Sequence, residues 1–520
     1  MAKITIDPVG RIEGHLGIET IVENGEVKEA RALAPMYRGF EQILEGRHPL
    51  DAQRLTQRVC GVCPTAHATA SSQALDQALG LADRVPENGR LVRNLILGSN
   101  FLQSHILHFY ALAALDYVDV ARAAQTAGAD PALAELRRFA ERGHLAPFVP
   151  RYEGDYRLED GANAEAARNY VRALTVRRVC HEMLATFGGK MPHNVAIVPG
   201  GVTEQVTEDK MLAFRWRLEE IRKFVEGCYL PDIIRVAAAY ADHAEQGRGC
   251  GSYLAYGAFD QKVEALPGPR RERMIRAGAL NGELAEVDTD QITEEVTHSY
   301  FKGNGDGLHP SQETTEPQPG KAGAYSWAKS PRLNGRPHEV GPLARMLVNY
   351  AAGNETIRGA VDGLLAATGL DAEALQSTLG RHAARALETR LVADAMAEWV
   401  LQLKPGQPTC AEYDPGDLPA EGEGAGLSDA PRGALGHWIR IEDGKIARYQ
   451  LVVPTTWNVS PRGADGAPGP IEQALTGAKV ADEGNPFELV RIVRSFDPCL
   501  ACAVHLMTPK GKDLGTYRVC

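Results

Sequence analysis

Along the first forty residues apolar and polar positions alternate with a period of two. KITI and GHLGIETIV run up to Asn24-Gly25, a dipeptide that favours a tight hairpin turn, and EVKEARAL follows it. These stretches predict paired strands. From 91 to 126 the pattern changes: RLVRNLILGSNFLQSHILHFYALAALDYVDVARAAQ is apolar on most sides, which predicts one long buried helix. Helical spacing also covers 163–187, 207–228 running on to about 242, 341–368 and 371–403. Helices of this length pack as a central bundle. Between about 244 and 340 glycine and proline become dense and short β-like runs replace the helical pattern. Residues 404–430 read as an irregular, acidic surface connector, and HWIRIEDGKIARYQLVV as a second hairpin turning at Asp443-Gly444. The expected fold class is α+β and multi-domain: a large helical bundle with peripheral β-hairpins and small sheets.

Composition narrows the class. At 520 residues the chain exceeds the size at which one core stops growing. A net charge of −11 argues against nucleic acid or an anionic membrane as partner. No run of 18 apolar residues marks a transmembrane segment, and MAKITIDPVGRIEGHLG lacks the charged and apolar regions of a signal peptide. Any export would then use another chain's signal. The nine cysteines are too few for a disulfide scaffold.

Two C-x-x-C pairs stand out among them. RVCGVCPTAH holds Arg58, Cys60, Cys63 and His67; FDPCLACAVH holds Asp497, Cys499, Cys502 and His505. A C-x-x-C turn puts two sulfurs at a separation one metal bridges, and four thiolates form a soft site. On spacing alone a closed structural zinc or a thiol redox pair stays open beside a rarer metal centre. Three features tilt the balance. Zinc ribbons keep their pairs 15–20 residues apart, whereas more than four hundred residues intervene here. Each pair adds a histidine that a closed four-ligand site does not need. Glu13 and His15 in RIEGH, Glu41 in YRGFE and Arg432 in APRGALGHW are charged groups in apolar or glycine-rich settings.

The set RIEGHL, RGFE, RVCGVCPTAH, GGKMPH followed by PGG, APRGALGHW, VVPTTWN and DPCLACAVH resembles the large subunit of nickel–iron hydrogenases of the uptake, respiratory type. The motifs span residues 11 to 505. A sister family, the large peripheral subunit of respiratory complex I, shares the fold but lacks these cysteines. The resemblance implies that Cys60, Cys63, Cys499 and Cys502 bind nickel, with Cys63 and Cys502 bridging to an iron that carries carbon monoxide and cyanide. Pro431, Arg432, Pro454 and Thr455 would line the diatomic ligands, and His67 would orient Cys63. Glu41, the carbonyl of Leu451 and His505 would hold magnesium. Ser104 stands where some relatives have an acidic residue.

The resemblance further implies heterolytic cleavage of dihydrogen in the uptake direction. Cys499 would take the proton and Glu13 would carry it outward, while Arg432 positions the reactants and Asp497 holds Arg432. With no cluster spacing beyond the motif cysteines, electrons would pass to iron–sulfur clusters in a small subunit. Co-export with that subunit would place the enzyme in the periplasm or on the membrane facing it; a cytoplasmic location is the alternative. A regulatory hydrogen-sensing subunit and a zinc-clamped structural protein are the competing functions.

The expected organisation is an N-terminal β region (1–45), a bundle (46–243 and 341–403), an irregular insertion (244–340), and a C-terminal β region with the metal motif (404–505). Residues 506–520, including Cys520, would be an extension removed after His505 by a maturation endopeptidase once nickel-insertion proteins have acted.

Overall fold

The computed structural model describes residues 2–126, 130–143, 148, 155–303 and 307–503. An antiparallel sheet opens the chain in the order β1 (Ala2–Ile6), β2 (Gly17–Glu23), β3 (Glu26–Leu33). Its hairpin turns at Asn24 and Gly25, both with positive φ, as the sequence predicts. The bundle is built from α1 (Pro64–Ala78), α2 (Glu87–Leu107), α3 (Asp160–Gly188), α4 (Glu208–Phe224), α5 (Leu230–Ala239), α6 (Pro342–Ala351), α7 (Glu355–Thr368) and α8 (Thr378–Gln402). The helices α1 and α2 bury nearly every side chain, and α8 buries its N-terminal half while Arg390, Asp394, Glu398 and Gln402 form a polar stripe on the rest.

Three helices expected as single rods are broken. The stretch after Leu107 widens into a π turn over His108–Ala113 before a new helix starts at Val120. A second π turn, Val225–Tyr229, separates α4 from α5 ahead of Pro231, whose missing N–H cannot continue the α ladder. The α6–α7 stretch breaks at Gly353, which takes φ +80°, and Asn354 caps α7 by accepting from Ile357 N.

The larger surprise lies in the expected acidic connector. Only its first part is irregular; Gly422–Ala430 is strand β4, which pairs with β5 (Gly433–Glu442), itself paired with β6 (Lys445–Val452). The cause is close packing. A Cβ added at Gly422, Gly424 or Gly426 would sit 2.2, 2.1 or 1.8 Å from the carbonyl oxygens of Ala78, Ala74 and Ala70. The glycine stripe of β4 therefore lies directly on the alanine stripe of α1. Low-propensity glycines form a strand because only they admit the helix backbone.

The insertion carries a four-stranded sheet from Tyr253–Ala255, Gly278–Asn281, Glu283–Ala285 and Glu339–Val340. The two ends of the chain share a separate hydrophobic core, in which Ile18, Val22 and Ala30 of the first sheet pack with Ile471, Leu489 and Ile492. The helix α9 (Pro454–Asn458) follows β6, and α10 (Phe487–Ser495) leads to the second cysteine motif. Among the described residues no helix is long and apolar enough to cross a membrane.

Candidate metal centre

Cys60 ends a short 3-10 turn, and Cys63 is the N-cap of α1, with Pro64 at the first helical position. The Cys60 sulfur accepts from the backbone N–H groups of Val62 (3.2 Å) and Cys63 (3.3 Å). Amides at a helix start favour the thiolate, which is the form that binds metal.

The second motif reaches the same point from the far end of the chain. Cys499 forms a parallel bridge with Glu13, and its Sγ lies 3.3 Å from that of Cys60. The thiols of Cys60, Cys63 and Cys499 are buried, with sulfurs all within 4.8 Å of one another. Three soft donors this close in a dry site fit a thiolate-bound transition metal. The Cys502 side chain, His505 and residues 506–520 lie outside the described residues.

Glu13 serves the second motif twice. Its carbonyl accepts from Leu500 N (2.8 Å), and its Oε2 accepts from Ala501 N (3.0 Å) and the Cys499 thiol (3.2 Å). Burial, reinforced by Cys60, raises the Glu13 pKa above the usual carboxylate range, although the Cys499 and Ala501 hydrogen bonds and Arg432 oppose it. Thr455, in the first turn of α9, accepts from Cys499 N at 3.0 Å.

Arg432 projects from the two-residue Pro431-Arg432 turn that joins β4 to β5. It donates to Asp497 Oδ1 (3.0 Å), to the Asp497 carbonyl (3.1 Å) and to Ser104 Oγ (3.3 Å). A serine hydroxyl thus accepts where an acidic residue was the alternative. Burial works against the guanidinium charge, but Asp497 and the thiols of Cys499, Cys63 and Cys60 outweigh it, so Arg432 stays protonated.

Behind the turn, Arg345 donates to the carbonyls of Ala430 (3.0 Å) and Pro431 (2.9 Å). It also makes a bidentate pair with Glu388 at 2.5 and 2.6 Å. Burial opposes the Glu388 charge, yet Arg345 overrides it and holds that carboxyl down to about 2.

His67 lies on the first turns of α1, and its Nδ1 meets His437 Nε2 at 3.1 Å. The chain continues through His437 Nδ1 and Tyr449 Oη (2.8 Å) to Ser71 Oγ (2.9 Å), fixing the ring against β5 and β6. Burial pushes its pKa down to about 4, so the imidazole is neutral at ordinary pH.

Glu41 and Leu451 line one small cavity together with Glu294, Lys329 and Gln450. Glu41 is buried, and its Oε2 has no hydrogen-bond partner among the described residues. An orphaned carboxylate oxygen in a polar cavity fits a hard cation. Burial raises the Glu41 pKa, and the Lys329 ammonium partly offsets it.

One residue that sequence reasoning passed over joins the two motifs directly. Arg38, of the same YRGFE stretch as Glu41, donates to the carbonyl of Val59 and to that of Ala501 (2.5 Å). The spacing gave no signal for it. His437, in APRGALGHW, was legible only as part of a motif.

Comparison with known proteins agrees with this geometry. The family described as Nickel-dependent hydrogenase matches residues 38–505, and a HoxL-like family matches residues 3–33. The chain is 43% identical to the periplasmic [NiFeSe] hydrogenase large subunit of Desulfomicrobium baculatum, covering 97% of this chain and 95% of that one. It is 37% identical to the quinone-reactive Ni/Fe-hydrogenase large chain of Wolinella succinogenes, covering 99% and 98%. A solved structure of the Ni-Fe-Se hydrogenase from D. vulgaris Hildenborough, in the reduced state, superposes with a TM-score of 0.85 at 42% identity, covering 97% and 100%. Selenium in those names belongs to those proteins; this chain has cysteine at all four motif positions.

Proposed function

Since the chain belongs to the nickel-dependent hydrogenase large-subunit family, we propose how its own residues serve that enzyme's reaction. The chain is the catalytic subunit of a hydrogenase, an oxidoreductase that converts dihydrogen to protons and electrons. Its cofactor is a nickel–iron centre whose iron carries carbon monoxide and cyanide, and this centre polarises dihydrogen when bound. The observation that carries the residue assignment is the meeting of Cys60, Cys63 and Cys499 in one buried cluster.

In our reading Cys60, Cys63, Cys499 and Cys502 would hold the nickel, and Cys63 and Cys502 would also serve the iron. Arg432 holds a permanent positive charge beside the thiolates. It resists deprotonation, so it orients and stabilises and leaves proton transfer to other groups. Asp497 and Ser104 fix its plane, and the Thr455 hydroxyl and the prolines beside it complete a dry wall. With the bound centre accepting dihydrogen's electron pair, the Cys499 sulfur would take the released proton and hand it to Glu13 Oε2, 3.2 Å away. Glu13 is half-buried, so it links the dry centre to solvent. His67 locks α1, and hence Cys63, against β5 through its His437 contact. Glu41, the Leu451 carbonyl and His505 would hold magnesium.

The names of relatives, among them a periplasmic large subunit and an uptake large subunit, support a partner subunit, the periplasm and dihydrogen uptake. In our reading that small subunit bears the iron–sulfur clusters and carries this chain along in export. The family match ends at His505, which supports removal of 506–520 during maturation.

Glu13→Gln tests the relay. It should cut dihydrogen oxidation by roughly 10³-fold, the scale of a lost general acid–base group, with nickel and iron retained. Wild-type turnover in that variant removes Glu13 from the path.

A further inference from the structure

The chain reaches Cys499 through Arg494, Ser495, Phe496, Asp497 and Pro498, at the end of α10. The last carbonyls of a helix have no partner within it and usually turn to water or a glycine cap. Here the Ile492 and Val493 carbonyls are capped locally, by Ser495 Oγ (2.6 Å) and Phe496 N (3.2 Å), and Asp497 N reaches the Arg494 carbonyl (2.9 Å), but side chains from remote parts of the fold are added to these. His108 Nε2 meets the Arg494 carbonyl at 2.7 Å. A carbonyl only accepts, so this nitrogen carries the proton. Arg385 Nη2 donates to the Ser495 carbonyl at 3.1 Å. Arg381 lies 3.7 Å over the Phe496 ring and reaches Ser495 Oγ at 3.4 Å. Arg432 takes the Asp497 carbonyl and carboxylate.

Four successive residues are therefore each held by a buried side chain, and the donors lie between 65 and 386 positions away. The segment ends in a left-handed Asp497, φ +56°, a conformation a non-glycine residue keeps only under constraint. His108 opens the π turn after α2, so an irregularity within the bundle places this donor. Arg381 is itself anchored bidentately to Glu339 at 2.7 and 2.9 Å. A helix end that needed only stability could use a local cap. Beyond that local cap, long-range donors fix this one against α8 and the π turn, in one frame with the Arg432 turn.

We propose that His108, Arg385 and Arg381 are positioning residues, a cradle that receives the Arg494–Asp497 segment and sets where the Cys499 sulfur stands relative to Cys60. This rests on the reading of the cysteines as nickel ligands. The cradle acts through the backbone and touches neither dihydrogen nor metal.

The test compares His108→Leu, His108→Gln and Arg385→Met in the full chain co-purified with its small subunit. Glutamine keeps an N–H for the Arg494 carbonyl; leucine removes it. His108→Leu and Arg385→Met should shift or split the infrared bands of the iron-bound carbonyl and cyanides. They should also lower kcat by roughly 10²-fold, the scale of an ångström-sized misplacement, with KM for dihydrogen unchanged. His108→Gln should restore wild-type bands and most of kcat. If Arg385→Met is not recovered with its partner, the His108 pair decides alone. Wild-type bands and kcat in His108→Leu overturn the proposal, as does an equal loss in His108→Leu and His108→Gln. A wild-type enzyme without nickel and cyanide bands would instead sink the ligand reading beneath it.

Discussion

The two cysteine motifs repeat one sequence pattern, but the fold supports them in opposite ways. Cys60 and Cys63 sit at the start of α1, where local amides meet the Cys60 sulfur and the helix behind is buried along its length. Cys499 hangs near the end of the chain, after a helix end reached by His108 and Arg385 and an Asp497 gripped by Arg432. Its own turn is held by Thr455 and Glu13. The first half adds support from α2, where Asn100 (3.0 Å) and Gln103 (2.8 Å) donate to the Val62 carbonyl, to its own local amides; the second is assembled from β1–β2, the bundle and the β4–β5 turn. The sulfur-facing amides are local in the first half only, so the Cys60 side depends less on distant segments than the Cys499 side does. Arg38, bonded to Val59 and Ala501, spans the seam.

Perturbations should separate the halves by size. Cys60→Ser and Cys499→Ser should both abolish nickel binding and activity, measured by metal analysis and dihydrogen oxidation. Nickel retained at full occupancy in either would exclude that sulfur as a ligand. Next comes Arg432→Lys, which keeps the charge but loses the fork that grips Asp497 and Ser104. A fall in kcat of roughly 10²-fold with metals in place is expected; an unchanged kcat would reduce Arg432 to a counter-charge.

Gly426→Ala probes the first half, because its Cβ would stand 1.8 Å from the Ala70 carbonyl under that motif. It should cost about 3 kcal/mol by overpacking, read as a lowered thermal midpoint of the purified heterodimer. Thr455→Val is the mildest. It leaves the Cys499 amide without its acceptor at a cost of about 1 kcal/mol, with a shift of the cyanide bands and little change in midpoint.

Much of this was legible in the sequence. The hairpins at Asn24-Gly25 and Asp443-Gly444 were readable because turn chemistry is local, and the cysteine pairs because ligand spacing is local. The breaks at His108 and Val225 were not, since π turns reflect packing and leave apolar spacing intact. Strand β4 was hidden because GEGAGLSDA has turn-like composition. Its glycines at every second position, matched to Ala70, Ala74 and Ala78 at every fourth, were the available signal. The cradle at Arg494–Asp497 was out of reach, because its donors share only the tertiary fold. For the same reason Arg38 gave no sign of its contacts, whereas Ser104 stood out only because some relatives carry an acidic residue there.

The central claim is that thiolates from both ends of the chain enclose nickel and iron. Metal analysis and infrared spectroscopy of the purified heterodimer test it most directly. Nickel and iron in equal amounts, with carbonyl and cyanide bands, are the predicted result. Stoichiometric zinc with no such bands would contradict it.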